Sequence, residues 1–171
     1  VEIVRTPPAP ADELRIDVLT HATLPARLDD LTAFALADRP APLGAHPAWL
    51  NVFRRAFGHD VYALEAVSFG RTVGYLPLAH VKSLLFGQYL VSLPYLNSNG
   101  VVSKTPTVRA KLIDRAVELA DELGVKHLEL RHESPVPHPA LSHTNVSKVH
   151  MRLALPASAE ALWKGFDAKV R

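Results

Sequence analysis

The sequence contains no cysteine, which excludes a disulfide, a thiolate-bound zinc ion and a cysteine nucleophile from this chain. Glycine is scarce, at 8 of 171 residues, and neither the Gly-x-Ser-x-Gly turn of serine hydrolases nor a common phosphate-binding glycine loop is present. The longest uncharged run, from Ser83 to Ser103, is interrupted by a proline and amide side chains. It therefore indicates buried core and no membrane span. The amino end shows no secretory signal, since a basic start followed by an apolar stretch is missing.

The composition of the sequence is typical of a globular domain. Hydrophobic residues make up 48% of the chain and charged residues 21%, a balance that excludes intrinsic disorder. The proline-rich residues 1–13 predict an extended arm, and residues 14–171 predict a single domain. Residues 1–147 hold 14 basic and 15 acidic side chains, whereas residues 148–171 hold 5 basic and 2 acidic ones. This excess is too small for a nucleic-acid-binding face, so we expect no direct DNA binding.

Hydrophobic periodicity predicts the element order β α α β β β α β β α. The predicted elements are strand 14–20, helices 23–38 and 47–57, strands 61–67, 72–81 and 88–93, helix 105–123, strands 126–131 and 146–155, and a helix from residue 158. Helix 105–123 has the clearest limits, because Thr105 and Pro106 suit its start and Gly124 its end. Pro77 predicts a bulge or an edge within its strand. The strand–helix–strand unit implies a mixed sheet with helices packed on its faces.

The last predicted helix carries an apolar stripe that is still running when the sequence stops. Leu162, Trp163, Phe166 and Val170 form this stripe, and no helix-terminating residue precedes Arg171. We therefore expect the polypeptide to continue, with this chain as its amino-terminal portion.

Nine histidines raise the question of a metal site. The nearest set, His132, His138 and His143, has intervals of six and five residues in a proline-rich segment. Zinc ligands on one element are usually spaced more tightly. We expect no metal and interpret these side chains as solvated loop histidines.

Charged residues alternate at the end of predicted strand 126–131. Glu129, Arg131 and Glu133 share one face there, and strand ends are where ligands bind in such sheets. Arg131 is a candidate clamp for a carboxylate or another anion. The alternative is an ordinary solvent-facing side with ion pairs.

A polar loop follows predicted strand 88–93. It contains Tyr95, Asn97, Ser98 and Asn99 and ends at Gly100. Side-chain amides, hydroxyls and backbone N–H groups at this place could recognise a polar ligand. An Asn-Gly turn that binds nothing explains the same residues, and the two interpretations remain open.

In four segments the chain resembles the amino-terminal part of FemAB-like proteins. The segments are HPAWLNVFRRAFGHDVYALEA, VGYLPLAHVKSLLFGQYLVSLPYLNSNGVV, ELGVKHLELR and LWKGFDAKVR. The run from Val73 to Gly100 is the most specific of them. The similarity is greatest to the branch found with exosortase (PEP-CTERM) and exopolysaccharide gene clusters, whose members resemble acyltransferases of the GNAT superfamily.

This resemblance implies an α/β (α+β) fold with a GNAT-like mixed, centrally split sheet and helices on both faces. The chain would be the first of two such halves. The implied function is acyl or aminoacyl transfer to a polysaccharide or cell-wall precursor, in the cytoplasm. Aminoacyl-tRNA or another acyl donor would bind through the second half. The alternative is a non-catalytic domain that binds the precursor or a partner protein.

The resemblance also implies where the precursor binds. The family's loop at the precursor cleft corresponds to Pro94–Gly100, with Asn99 standing where a second glycine is common. Lys169 and Arg171 match the start of a basic motif that is implied to lie near an anionic substrate. The expected binding set is Tyr95, Asn97, Ser98, Asn99, Arg131, Glu133, Lys169 and Arg171, and no catalytic residue can be assigned.

A coenzyme-A-dependent GNAT needs an Arg/Gln-x-x-Gly-x-Gly/Ala loop between strand and helix, whose amides hold the pyrophosphate. Between Leu93 and Thr105 this chain has a single glycine. The run Arg71–Tyr75 starts like that motif but lies in the predicted hairpin. We therefore expect no coenzyme A and no other cofactor in this half.

Overall fold

A six-stranded mixed sheet forms the centre of the computed structural model, which describes residues 14–37, 43–85, 87–147, 151 and 153–169. The predicted arm, residues 1–13, lies outside these ranges. The strands are β1 (Arg15–Thr20), β2 (Asp60–Ser68), β3 (Arg71–Ser83), β4 (Gly87–Val91), β5 (Val102–Ser103) and β6 (Leu128–Glu129). The helices are α1 (Leu28–Ala35), α2 (Ala48–Phe57), α3 (Pro106–Glu122) and α4 (Ala159–Gly165), with short 3-10 turns at Leu24–Arg27 and Leu43–Ala45.

The strand order is β1-β2-β3-β4-β6, and β5 pairs with β3 beside β4. All neighbours are antiparallel except β4 and β6, which run parallel in the register Leu90↔Leu128 and Val91↔Glu129. Helix α3 lies between these two strands in the chain, as a parallel return requires. The mixed sheet and its crossover helix confirm the architecture that the sequence predicts.

Each face of the sheet carries its own hydrophobic core, because successive strand residues point to opposite sides. Ala63 and Tyr75 face α1 and α2 and are fully buried among Leu31, Leu50 and Phe53. Leu64 faces the other way, onto Leu112 and the rest of the inner side of α3. Helices therefore cover both faces. Among the described residues, none of the helices has the length and apolarity to cross a membrane.

The hydrogen-bonded pairing along the side of β3 that faces away from β2 is interrupted. Val91 of β4 pairs with Ala79, and Val102 of β5 pairs with Tyr75. The chain between these pairs leaves the sheet, and we call residues 92–101 the excursion loop. Pro77 lies opposite this gap, which confirms the predicted edge, while the bulge in this hairpin falls between Ala66 and Val67.

Local signals for turns and caps act as the sequence predicts. The Thr105 hydroxyl accepts a hydrogen bond from the N–H of Val108 at 3.3 Å and caps α3. Gly58 ends α2 with φ +69°. Phe69 and Gly70 connect β2 to β3 with φ values of +50° and +69°, the left-handed pair that a two-residue hairpin turn requires.

Three predicted elements differ from the structure. Predicted strand 88–93 ends early, at Val91 of β4, because Leu93 takes φ +54° and turns the chain out of the sheet. Predicted strand 126–131 is shortened to β6. In predicted strand 146–155, the described residues lie in no strand, and the apolar ones are exposed. The predicted helix over 23–38 consists of a 3-10 turn followed by the shorter α1.

The apolar stripe of the last helix is not buried. Ser158 caps α4 through the N–H of Ala161 at 3.2 Å, yet the helix buries none of its residues. Trp163 is half exposed and contacts Phe166 edge to face, with ring centroids 6.4 Å apart. Val170 lies outside the described residues.

Candidate functional site

The excursion loop begins where β4 ends and lies beside the end of β6. Because these two strands are parallel, their carboxyl ends meet at one edge of the sheet, the position at which ligands bind in related architectures. This juxtaposition agrees with the prediction that the loop and Arg131 lie close together.

Backbone groups fix the loop to the chain that follows β6. Asn99 N–H donates to the Arg131 carbonyl at 2.9 Å, and Arg131 N–H donates to the Ser92 hydroxyl at 2.7 Å. Val101 N–H donates to Nε2 of His132 at 3.2 Å. The two ends of the loop are therefore held by two successive residues, Arg131 and His132.

His132 can accept that bond only while its ring is neutral. Burial lowers the pKa of His132 below 6.5, and the nearby positive charge of Arg109 lowers it further. The environment thus favours the form that holds Val101. His132 is a packed anchor and not a solvated loop histidine.

The Arg131 guanidinium is bound to other groups of the same protein. Its Nε donates to Glu129 at 2.7 Å, and Nη1 donates to the Leu96 carbonyl at 3.0 Å. This is the ion pair that the sequence leaves open as an alternative. Since Arg131 also holds the loop carbonyl, its geometry suits a residue that positions the loop.

Asn99 is buried, at 3% exposure. With its amide nitrogen turned toward Gly44, it donates to the carbonyls of Gly44 at 2.6 Å and Ser98 at 2.7 Å. The approach is close, because a Cβ on Gly44 would lie 2.6 Å from the Ser98 carbonyl oxygen. Asn99 therefore fixes the loop to the 3-10 turn before α2 and does not face solvent.

Tyr95 is displayed at the tip of the loop. Its φ is +67°, an uncommon conformation for a residue with a large side chain, and 64% of the residue is exposed. The ring lies 4.9 Å from that of Phe57 and 6.0 Å from that of Phe53. Its hydroxyl reaches Nε2 of His59 at 3.5 Å. Burial lowers the pKa of His59, and the charge of Asp60 opposes this effect.

The remaining predicted residues fall into two groups. Asn97 is exposed and Ser98 is half-buried, and both lie in the loop beside Tyr95. Glu133 is exposed shortly after Arg131. Lys169 is exposed beyond α4 and is not brought to the loop by any hydrogen bond or ion pair within the described part of the chain. Arg171 lies outside the described residues.

A second polar cluster lies away from the loop. Glu65 of β2 is buried to 1% exposure, and Arg27 grips its two carboxylate oxygens at 2.7 and 3.0 Å. Thr72 also donates its hydroxyl to Glu65. The hydrogen bond with Glu65 raises the pKa of Arg27. A glutamate inside an apolar strand is the sequence signal for this cluster, but nothing in the sequence identifies Arg27 as its partner.

The Arg27–Glu65 cluster borders an open cleft. The cleft has a volume of about 280 Å³ and is lined by Arg27, Asp30, Ala33, Phe34, Gly70, Arg71 and Thr72. Both charge signs are present on its wall. The described residues bring no three histidine, aspartate or glutamate side chains together at a possible metal site.

Comparisons with known proteins identify the fold. No family model matches the sequence, and no curated protein matches it. A GNAT family acetyltransferase from Staphylococcus aureus is 13% identical, with a TM-score of 0.53 over 82% of this chain and 98% of that one. A ribosomal-protein-alanine N-acetyltransferase from Brucella melitensis is 16% identical, with a TM-score of 0.48 over 83% of this chain and 100% of the other. The chain has the fold of GNAT acetyltransferases.

The excursion loop lies between β4 and α3, and the resemblance to GNAT acyltransferases implies a pyrophosphate loop between strand and helix in the coenzyme-A-dependent members. A pyrophosphate needs several free N–H groups that converge at a helix start. Here the N–H groups of Leu93, Asn99 and Val101 donate within the protein, and Thr105 caps α3. These three N–H groups are therefore not available to a pyrophosphate.

Proposed function

We propose that this chain is an acyl- or aminoacyl-transferase module that acts on a cell-envelope or exopolysaccharide precursor. The observation that carries the proposal is the excursion loop, which a GNAT fold presents at the carboxyl ends of its parallel strands β4 and β6. The loop is fixed at both ends, and its middle displays polar and aromatic side chains. That combination suits recognition of an acceptor.

The residues of the loop divide into two roles in this proposal. Tyr95, Asn97 and Ser98 are the groups that would touch the precursor, since Tyr95 offers an apolar face and the other two offer hydrogen-bond donors and acceptors. Arg131 and Asn99 are positioning residues, because their bonds to Leu96 and Gly44 hold the loop in place.

The reaction proposed for the complete transferase is acyl transfer. An amine or hydroxyl of the acceptor attacks the carbonyl carbon of an acyl ester or thioester, and a new amide or ester bond forms. The bond between that carbon and the donor's oxygen or sulfur breaks, so the donor leaves as an alcohol or a thiol that takes up the acceptor's proton. Positioning of the two reactants and stabilisation of the tetrahedral oxyanion supply most of such a rate. In this proposal the present chain supplies the positioning of the acceptor, and the donor, aminoacyl-tRNA or another acyl ester, binds elsewhere in the longer protein.

The second candidate is a domain that binds the precursor or a partner protein without catalysis. The N–H groups of Leu93, Asn99 and Val101 donate within the protein, which favours this candidate, since an oxyanion needs free donors. Glu129 is likewise bound to Arg131 and is not poised as a base.

Transfer of labelled acyl groups separates the two candidates. The product of the complete gene would be incubated with labelled aminoacyl-tRNA or acyl-coenzyme A and with a soluble glycan-peptide fragment of a cell-wall precursor, and this chain alone would serve as the control. Transfer by the complete product, with binding but no transfer by this chain, supports the proposal. Binding without transfer from either donor favours the binding domain. The absence of both refutes the transferase and the precursor-binding domain and leaves only a domain that binds a partner protein.

A further inference from the structure

The hairpin connection between β3 and β4 is unusual in its composition. Ser83 pairs with Gly87, so three residues connect the strands, and the first two are Leu84 and Leu85. Hairpin connections normally carry glycine, asparagine, aspartate or proline. Gly87, with φ +81°, supplies the left-handed conformation, and no turn requirement explains the leucines.

These leucines are among the most exposed apolar side chains of the protein. Leu84 is 107% exposed and Leu85 is 88% exposed, so each is as open to water as in an extended chain. Full burial of a leucine is strongly favourable, so a surface that covers these two adjacent leucines would gain free energy.

Two lysines, Lys126 and Lys82, lie near the base of this tip. The Lys126 side chain lies against Gly87, where an added Cβ would be 3.1 Å from Nζ. Lys82, one residue before the end of β3, is exposed and pairs with Asp60 at 2.7 Å. Tyr89 stacks on His127 at 5.1 Å, which places an amphipathic ring just behind the tip.

We propose that the β3–β4 tip is a membrane contact, in which Leu84 and Leu85 enter an anionic lipid surface and Lys126 meets its headgroups. A projecting apolar tip with a cationic base matches the layered chemistry of such a surface, apolar inside and negatively charged outside. A fluid bilayer closes around a convex tip, whereas a protein partner would need a groove shaped for it. The contact is peripheral, and it is independent of the proposed transferase function.

The turn between β2 and β3 provides a matched control. Phe69 is exposed there to 77%, but it lies at the opposite end of the long strand β3, roughly 40 Å away at about 3.3 Å per residue. A flat vesicle surface that meets the β3–β4 tip end-on does not reach the other tip. Asparagine suits the positive φ of Phe69, so Phe69→Asn removes an exposed apolar residue without disturbing the turn.

Vesicle co-sedimentation tests the proposal. The probes are phosphatidylcholine vesicles with and without about one third phosphatidylglycerol. We expect the protein to sediment with the anionic vesicles, the double variant Leu84→Ser/Leu85→Ser to lose at least tenfold in partitioning, Lys126→Gln to lose about fivefold, and Phe69→Asn to match the wild type. Failure of the wild type to bind anionic vesicles, or unchanged binding by the double serine variant, would overturn the proposal.

Because the sequence contains no cysteine, a single introduced cysteine can report directly on insertion into the membrane. Leu85→Cys or Phe69→Cys can be labelled singly with an environment-sensitive dye. A blue shift on anionic vesicles at position 85, with none at position 69, supports insertion of the tip. Equal shifts at both positions would contradict insertion of the tip. Wild-type protein that self-associates through the leucines and binds no vesicles would also contradict it, because loss of this self-association in the double serine variant would identify a second copy of the chain as the partner.

Discussion

Removal of Arg27 should destabilise the protein far more than removal of a surface arginine. Glu65 is 1% exposed and receives two bonds from Arg27, whose own side chain is 33% exposed. Breaking a fully buried ion pair costs about 3–5 kcal/mol because an uncompensated charge remains inside. Discounting for the partial exposure of Arg27, we expect Arg27→Ala to lower the free energy of unfolding by about 2–4 kcal/mol.

Urea denaturation followed by circular dichroism measures this loss. For a chain of this size, about 3 kcal/mol corresponds to a melting temperature lower by roughly 6–12 °C. Arg15→Ala is the matched control, since Arg15 is 66% exposed and pairs with Asp17 across solvent; it should cost at most about 1 kcal/mol. Equal losses in the two variants would refute the view that the buried contact between Arg27 and Glu65 stabilises the fold.

Three further perturbations test the anchors of the excursion loop and of α3. Gly100→Ala would place a Cβ 2.2 Å from Cδ2 of His132; chemical denaturation should show a loss of about 1–3 kcal/mol, and none for Gly165→Ala, which has nothing within 4 Å. Because the pKa of His132 is lowered in the folded protein, the unfolded chain binds a proton first as the pH decreases below about 6.5. The free energy of unfolding should therefore decrease as the pH is lowered, by up to about 1.4 kcal/mol per pH unit. His132→Gln should flatten that slope in urea titrations, and an unchanged slope would refute the role of the ring. Thr105→Ala should cost about 1 kcal/mol and Thr105→Ser much less in thermal melts, whereas equal losses would argue against capping.

The elements that could be predicted have local causes. Helix α3 begins at Thr105 and Pro106 and its region ends at Gly124 because capping chemistry is set by neighbours in sequence. The β2–β3 hairpin follows from strand alternation and a left-handed turn. The parallel pairing of β4 with β6 follows from the helix between them.

What could not be predicted depends on contacts between distant residues. Asn99 looks like a turn residue, yet it is buried because Gly44, 55 positions earlier, leaves room for its amide. His132 becomes an anchor only through the fold of Val101 against it. Glu65 could be noticed as unusual in its strand, but its partner Arg27 lies in a different element.

The sequence predicts where the residues of the candidate site lie, but only partly what each side chain does there. The sequence places Tyr95, Asn97 and Arg131 at one edge of the sheet, and the structure brings these residues there. The identity of the side chains that face outward depends on loop geometry, which hydrophobic periodicity does not encode. Family membership beyond the GNAT fold, and the precursor itself, stay predictions.

Titration of a soluble glycan-peptide fragment of a cell-wall precursor into the protein tests the central claim most directly. Asn97→Ala combined with Ser98→Ala removes the two polar side chains that the loop displays, without touching its anchors. Each lost hydrogen bond is worth about 0.5–1.5 kcal/mol, so loss of two should raise the Kd measured by calorimetry by about 5- to 140-fold. Glu118→Ala, on the exposed side of α3, should leave the Kd unchanged. An unchanged Kd in the double variant would contradict the assignment of the excursion loop as the precursor site.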